Sequence, residues 1–282
     1  MPPQRILHLQ TVVRVETHRP LARGEEVEGG LAYEEHGVDE IRQHLPGNVG
    51  GVWRVGDTVR RPVGPWTPAV HALLNFLGSR IEHVPRVLGY EDEGREVLSF
   101  LPGRVVDIDT ESLTTKQVRS VVSWTRQFHQ AVAEFSHPGP WRFPSVPGHT
   151  VIAHNDIAPY NVCFDGDELV GVFDWDLAGP STPLMELAFI AWNCVPLWRD
   201  IGPEPAAERL DLIAQVYGPI PSRDILQAVP TRIQLMLDSI PAAAAAGDSG
   251  MVHLMTCGEP ERSQRSLDDL TRRIPAILHA LD

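Results

Sequence analysis

The chain has 282 residues, 43% of them hydrophobic, enough for one large domain or two modest ones with a sizeable core. Its 24 basic and 37 acidic side chains leave a formal net charge of -13, which argues against nucleic acid or an anionic membrane as a main partner and suits a cationic ligand. No run nears the roughly 20 apolar residues that span a bilayer, Met1-Pro2-Pro3 opens no secretory signal, and Cys163, Cys194 and Cys257 form no metal-ligand pair, so the expectation is a cytoplasmic protein.

Residues 1–39 read as an N-terminal extension of unassigned role, with strand character from Ile6 to Val15 and a polar, glutamate-rich stretch from Arg23 to Gly37. Val49 to Val55 and Thr58 to Val63 are β-rich runs around Gly56-Asp57, a hairpin signal. A helix follows, with Thr67 as N-cap, Pro68 in the first turn, Gly78 at the end, and Val70, Leu73, Leu74 and Leu77 on one face. Val84 to Tyr90 and Glu96 to Leu101 read as strands around the turn at 91–94, and Pro102-Gly103 breaks the chain.

Beyond that break the pattern turns helical. Thr114 to Gln117 has capping-box spacing before an apolar face running from Val118 to Phe135. Val151-Ile152-Ala153 is a short strand. After Pro183 the chain is mostly helical, with interruptions expected at Gly202-Pro203, Gly218-Pro219 and Pro241. A strand-rich part followed by a helix-rich part is an α+β pattern with two lobes. The reading is a β-rich lobe over 40–98 and a helical lobe over 99–282, hinged near Ser99 to Gly103.

The chemistry concentrates between His154 and Asp176. Asp156 and Asn161 lie five positions apart on a loop leaving the strand at Ala153. Val162 to Phe164 and Leu169 to Phe173 then form strands around Asp165-Gly166, a hairpin-turn signal. Folding that hairpin brings Asp174 back beside Asn161, so a carboxylate and an amide oxygen meet at one end of a rigid ribbon, with Asp156 close by. Hard oxygen ligands near a carboxylate that can orient a hydroxyl are what phosphoryl transfer requires.

This segment, His154-Asn155-Asp156 through Asn161 followed by Phe173-Asp174-Trp175-Asp176, resembles the H-x-D-x-x-x-x-N and hydrophobic-D-W motifs of the aminoglycoside phosphotransferase and choline kinase-like family. The similarity runs from about Leu45 to Ala191. It implies a protein kinase-like fold and an Mg²⁺-dependent phosphotransferase that moves the γ-phosphate of ATP or GTP to a hydroxyl of a small molecule. By that resemblance Asp156 is the catalytic base, Asn161 and Asp174 hold Mg²⁺, and His154, Asp176 and Glu186 support the loop. Gly50 and Gly51 fall where a glycine-rich loop covers the phosphates, Ser99, Phe100 and Leu101 where the hinge meets the adenine, and Phe128-His129 where the family carries a structural histidine. The leading acceptor is an aminoglycoside-like antibiotic or a related metabolite.

Two departures stand out. Lys116, beyond the hinge, is the only lysine, so the strand lysine of kinases is missing. Arg60, in the strand Thr58-Val59-Arg60-Arg61-Pro62, is the replacement expected, with Arg61 as the alternative. The helix glutamate that would orient such a cation is missing too, and His71 stands near its place, which leaves Asp57 or a backbone carbonyl for the task. These losses motivate a second reading, a non-catalytic nucleotide- or metabolite-binding protein. A metal-dependent hydrolase is a more distant third. Gly247-Asp248-Ser249-Gly250 resembles a protease nucleophile segment without its context and carries no such function.

Overall fold

Alternating strands between Arg42 and Ser99 build an antiparallel sheet of five strands in the order β1-β2-β3-β5-β4. They are β1 (Arg42–Leu45), β2 (Val52–Val55), β3 (Thr58–Pro62), β4 (Val87–Tyr90) and β5 (Arg95–Ser99). The computed structural model describes residues 42–45, 51–91 and 94–282. The expectations for residues 1–39, for Gly47 to Gly50 and for the tip of the 91–94 turn therefore lie outside the described residues.

The Gly56-Asp57 hairpin forms as read, with Val55 paired to Thr58. Helix α1 (Thr67–Leu77) packs Val70, Leu73, Leu74 and Leu77 into the core. Its N-cap is Trp66 rather than Thr67. Thr67 is already helical, and its hydroxyl accepts the Gly64 N–H at 2.9 Å, closing the loop before the helix.

The second lobe opens with α2 (Thr115–Ala131), capped by Thr114 and Gln117 in a full capping box. The helix stops at Ala131, short of Phe135. Two small antiparallel ribbons follow: β6 (Val151–Ala153) pairs with β9 (Gly179–Ser181), and β7 (Val162–Asp165) pairs with β8 (Glu168–Val172). The β9 strand was not anticipated, since Gly-Pro-Ser carries little strand signal of its own.

Helices α3 (Pro183–Cys194), α4 (Pro203–Tyr217), α5 (Ser222–Ala245), α6 (Ser249–Thr256) and α7 (Glu259–Ala280) complete the lobe. Pro241 does not interrupt the chain as expected, and both Pro230 and Pro241 lie inside α5. Burial of Ile233, Met236, Leu237 and Ile240 along that helix outweighs the backbone donors that the prolines remove. Among the described residues no helix is long and apolar enough to cross a membrane.

Candidate active site

Strand β6 delivers the chain to His154, and every residue from there to Asn161 is buried. A buried loop must satisfy its own polar groups, and here a few side chains do so. Glu186, in the first turn of α3, accepts the Asn155 N–H at 2.7 Å and the His154 N–H at 3.2 Å. His129 Nε2 lies 2.8 Å from the same carboxylate, and its Nδ1 2.8 Å from the Tyr217 hydroxyl. Burial alone would raise the Glu186 pKa, but the His129 hydrogen bond and charge and the loop N–H groups outweigh it and hold the carboxyl below its ordinary value.

His154 takes both ends of the loop. Its Nδ1 accepts the Asp156 N–H at 3.2 Å, and its Nε2 donates to the Phe173 carbonyl at 3.1 Å. That assignment needs a neutral ring, in keeping with burial, which lowers the His154 pKa. Trp175 covers the ring at 4.6 Å between centroids. Asn155, at a left-handed φ of 63°, anchors its side chain on the carbonyls of Leu177 and Gly179.

Asn161 donates through Nδ2 to both the Asp156 carbonyl at 3.0 Å and the Asp156 carboxylate at 2.7 Å. Its Oδ1 is buried without a hydrogen-bond partner. Across the hairpin the Phe173 N–H donates to the Asn161 carbonyl at 3.0 Å, which sets Asp174 beside Asn161. Asp174 itself has a left-handed φ of 60°, a conformation uncommon outside glycine that aspartate and asparagine adopt more readily than other side chains. An orphaned amide oxygen beside a carboxylate is a donor set of the hard-oxygen kind that Mg²⁺ takes, so the residues present fit that ion.

Asp156 is almost wholly buried, and burial raises its pKa well above the ordinary value. The neighbouring Asp174 charge pushes the same way, while Arg232, Asn161 and Tyr160 oppose. The Tyr160 hydroxyl lies 3.4 Å from Asp156 Oδ1.

The arginine that the sheet aims at this site is Arg61, not Arg60. Neighbouring strand residues face opposite sides, and Arg60 pairs with Glu91 at 3.1 Å. Arg61 donates through Nε to Glu96 Oε1 at 2.8 Å and through Nη1 to Asp174 at 3.2 Å, and its Nη2 binds Asp176. Burial opposes the charge, yet Glu96 and Asp174 more than compensate, and the Arg61 pKa is raised. Asp176 also lies 3.4 Å from Arg142 Nη1, and Arg142 pairs with both oxygens of Asp248 at 2.7 Å. Asp248 in turn caps α6 by accepting the Gly250 and Met251 N–H groups.

Two pockets flank this centre. An apolar cleft between the lobes is lined by Val52, Val59, Leu98, Phe100 and Leu101, with Arg61 and Asp174 among its walls. Ser99 also lines it, but the Ser99 N–H is engaged by the Arg86 carbonyl and the Phe100 N–H by the Asp57 carbonyl. Cys163 forms part of the same lining, and burial pushes its thiol up to about 12. Gly51 carries a φ of 86°, and Gly50 lies outside the described residues. The second pocket opens between α3, α5, α6 and α7, walled by Tyr160, Phe189, Trp192 and Trp198 with Glu259 and Arg262.

The model of the phosphotransferase enzyme family matches residues 140–223, the segment that holds Asp156, Asn161, Asp174 and Glu186. The resemblance read from the sequence holds for its motif segment, and the family match begins at residue 140 rather than near Leu45 and runs on to residue 223. The chain carries a phosphotransferase-family segment on a kinase-like fold.

A trifolitoxin immunity protein of Rhizobium leguminosarum bv. trifolii is 34% identical over 170 residues, covering 57% of this chain and 63% of that relative's own length. The chain thus matches less than two thirds of that protein. An aminoglycoside phosphotransferase of Streptomyces rimosus, solved with ADP and streptomycin, shares the fold at a TM-score of 0.52 and 17% identity over 72% of this chain and 93% of its own. A choline/ethanolamine kinase family protein of Mesorhizobium loti does so at 0.52 and 14% over 86% and 94%.

Sequence reasoning missed Tyr160, Glu96, Arg142 and Arg232. Glu96 was legible in principle, as the residue opposite Arg61 once strands β3 and β5 are registered. Arg232 carried no local signal.

Proposed function

We propose that this chain is an Mg²⁺-dependent phosphotransferase that moves the γ-phosphate of ATP or GTP to a hydroxyl of a small molecule. The observation that carries this reading is the buried cluster of Asp156, Asn161 and Asp174, with the Asn161 amide oxygen left without a partner. Asn161 and Asp174 would hold the metal, which when bound neutralises charge on the phosphate oxygens. Asp156 orients the acceptor hydroxyl and takes its proton. Arg61 steadies the phosphates in place of the missing lysine, and its planar fork suits phosphate oxygens.

The base of the nucleotide fits the apolar cleft, where Leu101 offers a hinge N–H that no hydrogen bond engages among the described residues. Where such nucleotides are made and used is the cytoplasm, the location inferred for this chain.

The pocket beyond Tyr160 is the acceptor site in this reading. Its aromatic walls favour a substrate with an apolar body. Glu259 is the one carboxylate among its described lining residues, and it already pairs with Arg262 at 3.3 Å. That charge pattern suits a weakly charged acceptor better than a polycationic aminoglycoside. The name of the Rhizobium relative, an immunity protein, supports an antibiotic- or toxin-like compound.

A non-catalytic binding protein is the second reading, motivated by the missing lysine and helix acid. The Arg61–Glu96 pair weakens that motive. The test is ADP or GDP release over a panel of hydroxyl compounds, with Asp156→Ala as control. Release that depends on an acceptor and vanishes in the variant is the expected result. Nucleotide binding without turnover of any acceptor would favour the binding protein.

A further inference from the structure

Strand β3 and strand β5 are registered so that Arg61 stands directly opposite Glu96. Directly opposed residues on an antiparallel pair share a face and come close enough to interact side chain to side chain. Here Arg61 Nε lies 2.8 Å from Glu96 Oε1. The other oxygen, Oε2, lies 2.6 Å from Nε2 of His71, on helix α1. Glu96 is 2% exposed and His71 8%. A carboxylate so buried is expensive unless both its oxygens are engaged, and each of these receives one donor.

In kinases the phosphate-binding cation comes from this strand and its orienting acid from the helix that follows. In this chain α1 has no acid in its first turn, and His71 reaches into the sheet instead. Among the described residues, the other acids near β3 are exposed or paired elsewhere. The Asp57 side chain is fully exposed and lies 3.9 Å from Arg54, and Glu91 is paired with Arg60 at 3.1 Å.

The fork of Arg61 is divided between two sets of partners. Glu96 holds Nε, whereas Nη1 and Nη2 turn to Asp174 and Asp176 at the site. An acid on Nε fixes the plane of the guanidinium and holds its two terminal nitrogens, the ends that chelate an oxyanion, on the side of Asp174 and Asp176.

We propose that Glu96 is the positioning residue of the phosphate-binding arginine, and that His71 locks it from α1. The orienting acid has moved from the helix to the neighbouring strand, with a histidine left on the helix to hold it. This rests on the reading of the cleft as a nucleotide site.

The test is calorimetric titration of the full chain with Mg-ATP and, separately, with adenosine, which lacks phosphates. Glu96→Gln is expected to weaken Mg-ATP binding about tenfold, since a charged hydrogen bond is replaced by a neutral one, and to leave adenosine binding unchanged. His71→Leu is expected to weaken Mg-ATP several-fold in the same selective way, and His71→Gln, which keeps a donor, to recover most of it. His71→Leu leaves the Arg61–Glu96 pair in place, so it carries the test if Glu96→Gln does not fold. Wild-type Mg-ATP affinity in these variants, or equal loss of Mg-ATP and adenosine, overturns the proposal. A wild-type chain that binds adenosine and Mg-ATP weakly or not at all overturns the nucleotide site itself, a different outcome from a wild-type chain that binds both and variants that do not discriminate.

Discussion

The Phe173 N–H donates to the Asn161 carbonyl at 3.0 Å, and this single backbone bond registers two distant pieces of chemistry. On one side stands the Asn161 amide, tied to Asp156 through its nitrogen and open at its oxygen. On the other stands Asp174, turned by its left-handed backbone toward Arg61. The β7–β8 hairpin is the device that makes them neighbours.

Among the described residues Arg232 is the largest fully buried side chain, and no carboxylate lies within ion-pair distance of it. Its guanidinium sits between the Phe143 and Phe189 rings, 4.4 Å from each centroid, and donates to the Asn155 carbonyl at 2.6 Å. Burial lowers its pKa to about 10, while Asp156, Glu186 and Tyr160 pull it upward. A buried charge without an ion-pair partner is costly, and an apolar side chain of similar volume removes that cost against the loss of one donor to the Asn155 carbonyl. Arg232→Met is therefore expected to keep or raise the melting temperature and to slow ADP release by about tenfold or more, because the Asn155 peptide beside Asp156 loses its anchor. Calorimetric melting and turnover on the same sample check both halves.

Glu186 makes stability depend on acid. Its folded pKa lies below the ordinary 4.5, so its contribution is fully present above pH 4.5 and is lost as pH falls through the lower folded value. The stability gap between the wild-type chain and Glu186→Gln is expected to be widest near neutrality and to narrow below pH 4.5. Urea melts across that range measure it. A gap that widens in acid would reverse the sign.

Asp248 joins two tasks, an ion pair with Arg142 and the cap of α6. Its pKa is lowered, since the Arg142 hydrogen bonds and charge outweigh partial burial. Asp248→Ala removes the cap and leaves Arg142 short of a partner, and is expected to cost about 2–4 kcal/mol. Asp248→Asn keeps a capping oxygen and is expected to cost roughly half of that. Denaturant midpoints of the two variants separate the cap from the charge.

The loop from His154 to Asn161 was legible because its signals are local. The spacing of Asp156 and Asn161, the hairpin turn after Asp165 and the capping box at Thr114 are each written within a few residues, and the fold keeps all three. The arginine that faces Asp174 was less legible. Adjacent arginines on a strand differ only in the face they take, and that phase is set by the pairing of β3 with β5. Contacts between remote segments were beyond reach. Arg232 meets Asn155 across 77 positions and Arg142 meets Asp248 across 106, and no periodicity announces either. The last helices were read only as helical, so the aromatic pocket they enclose with Tyr160 came from packing alone.

The proposed division of labour between Asp156 and Asp174 is tested by one paired measurement. Mg-ATP affinity and phosphate transfer to an accepted hydroxyl compound are followed in Asp156→Ala and Asp174→Ala. Asp156→Ala is expected to keep Mg-ATP affinity within about threefold while transfer falls by at least about a hundredfold, and Asp174→Ala to lose magnesium-dependent ATP binding. Transfer that survives in Asp156→Ala, or ATP binding whose magnesium dependence is unchanged in Asp174→Ala, would contradict it.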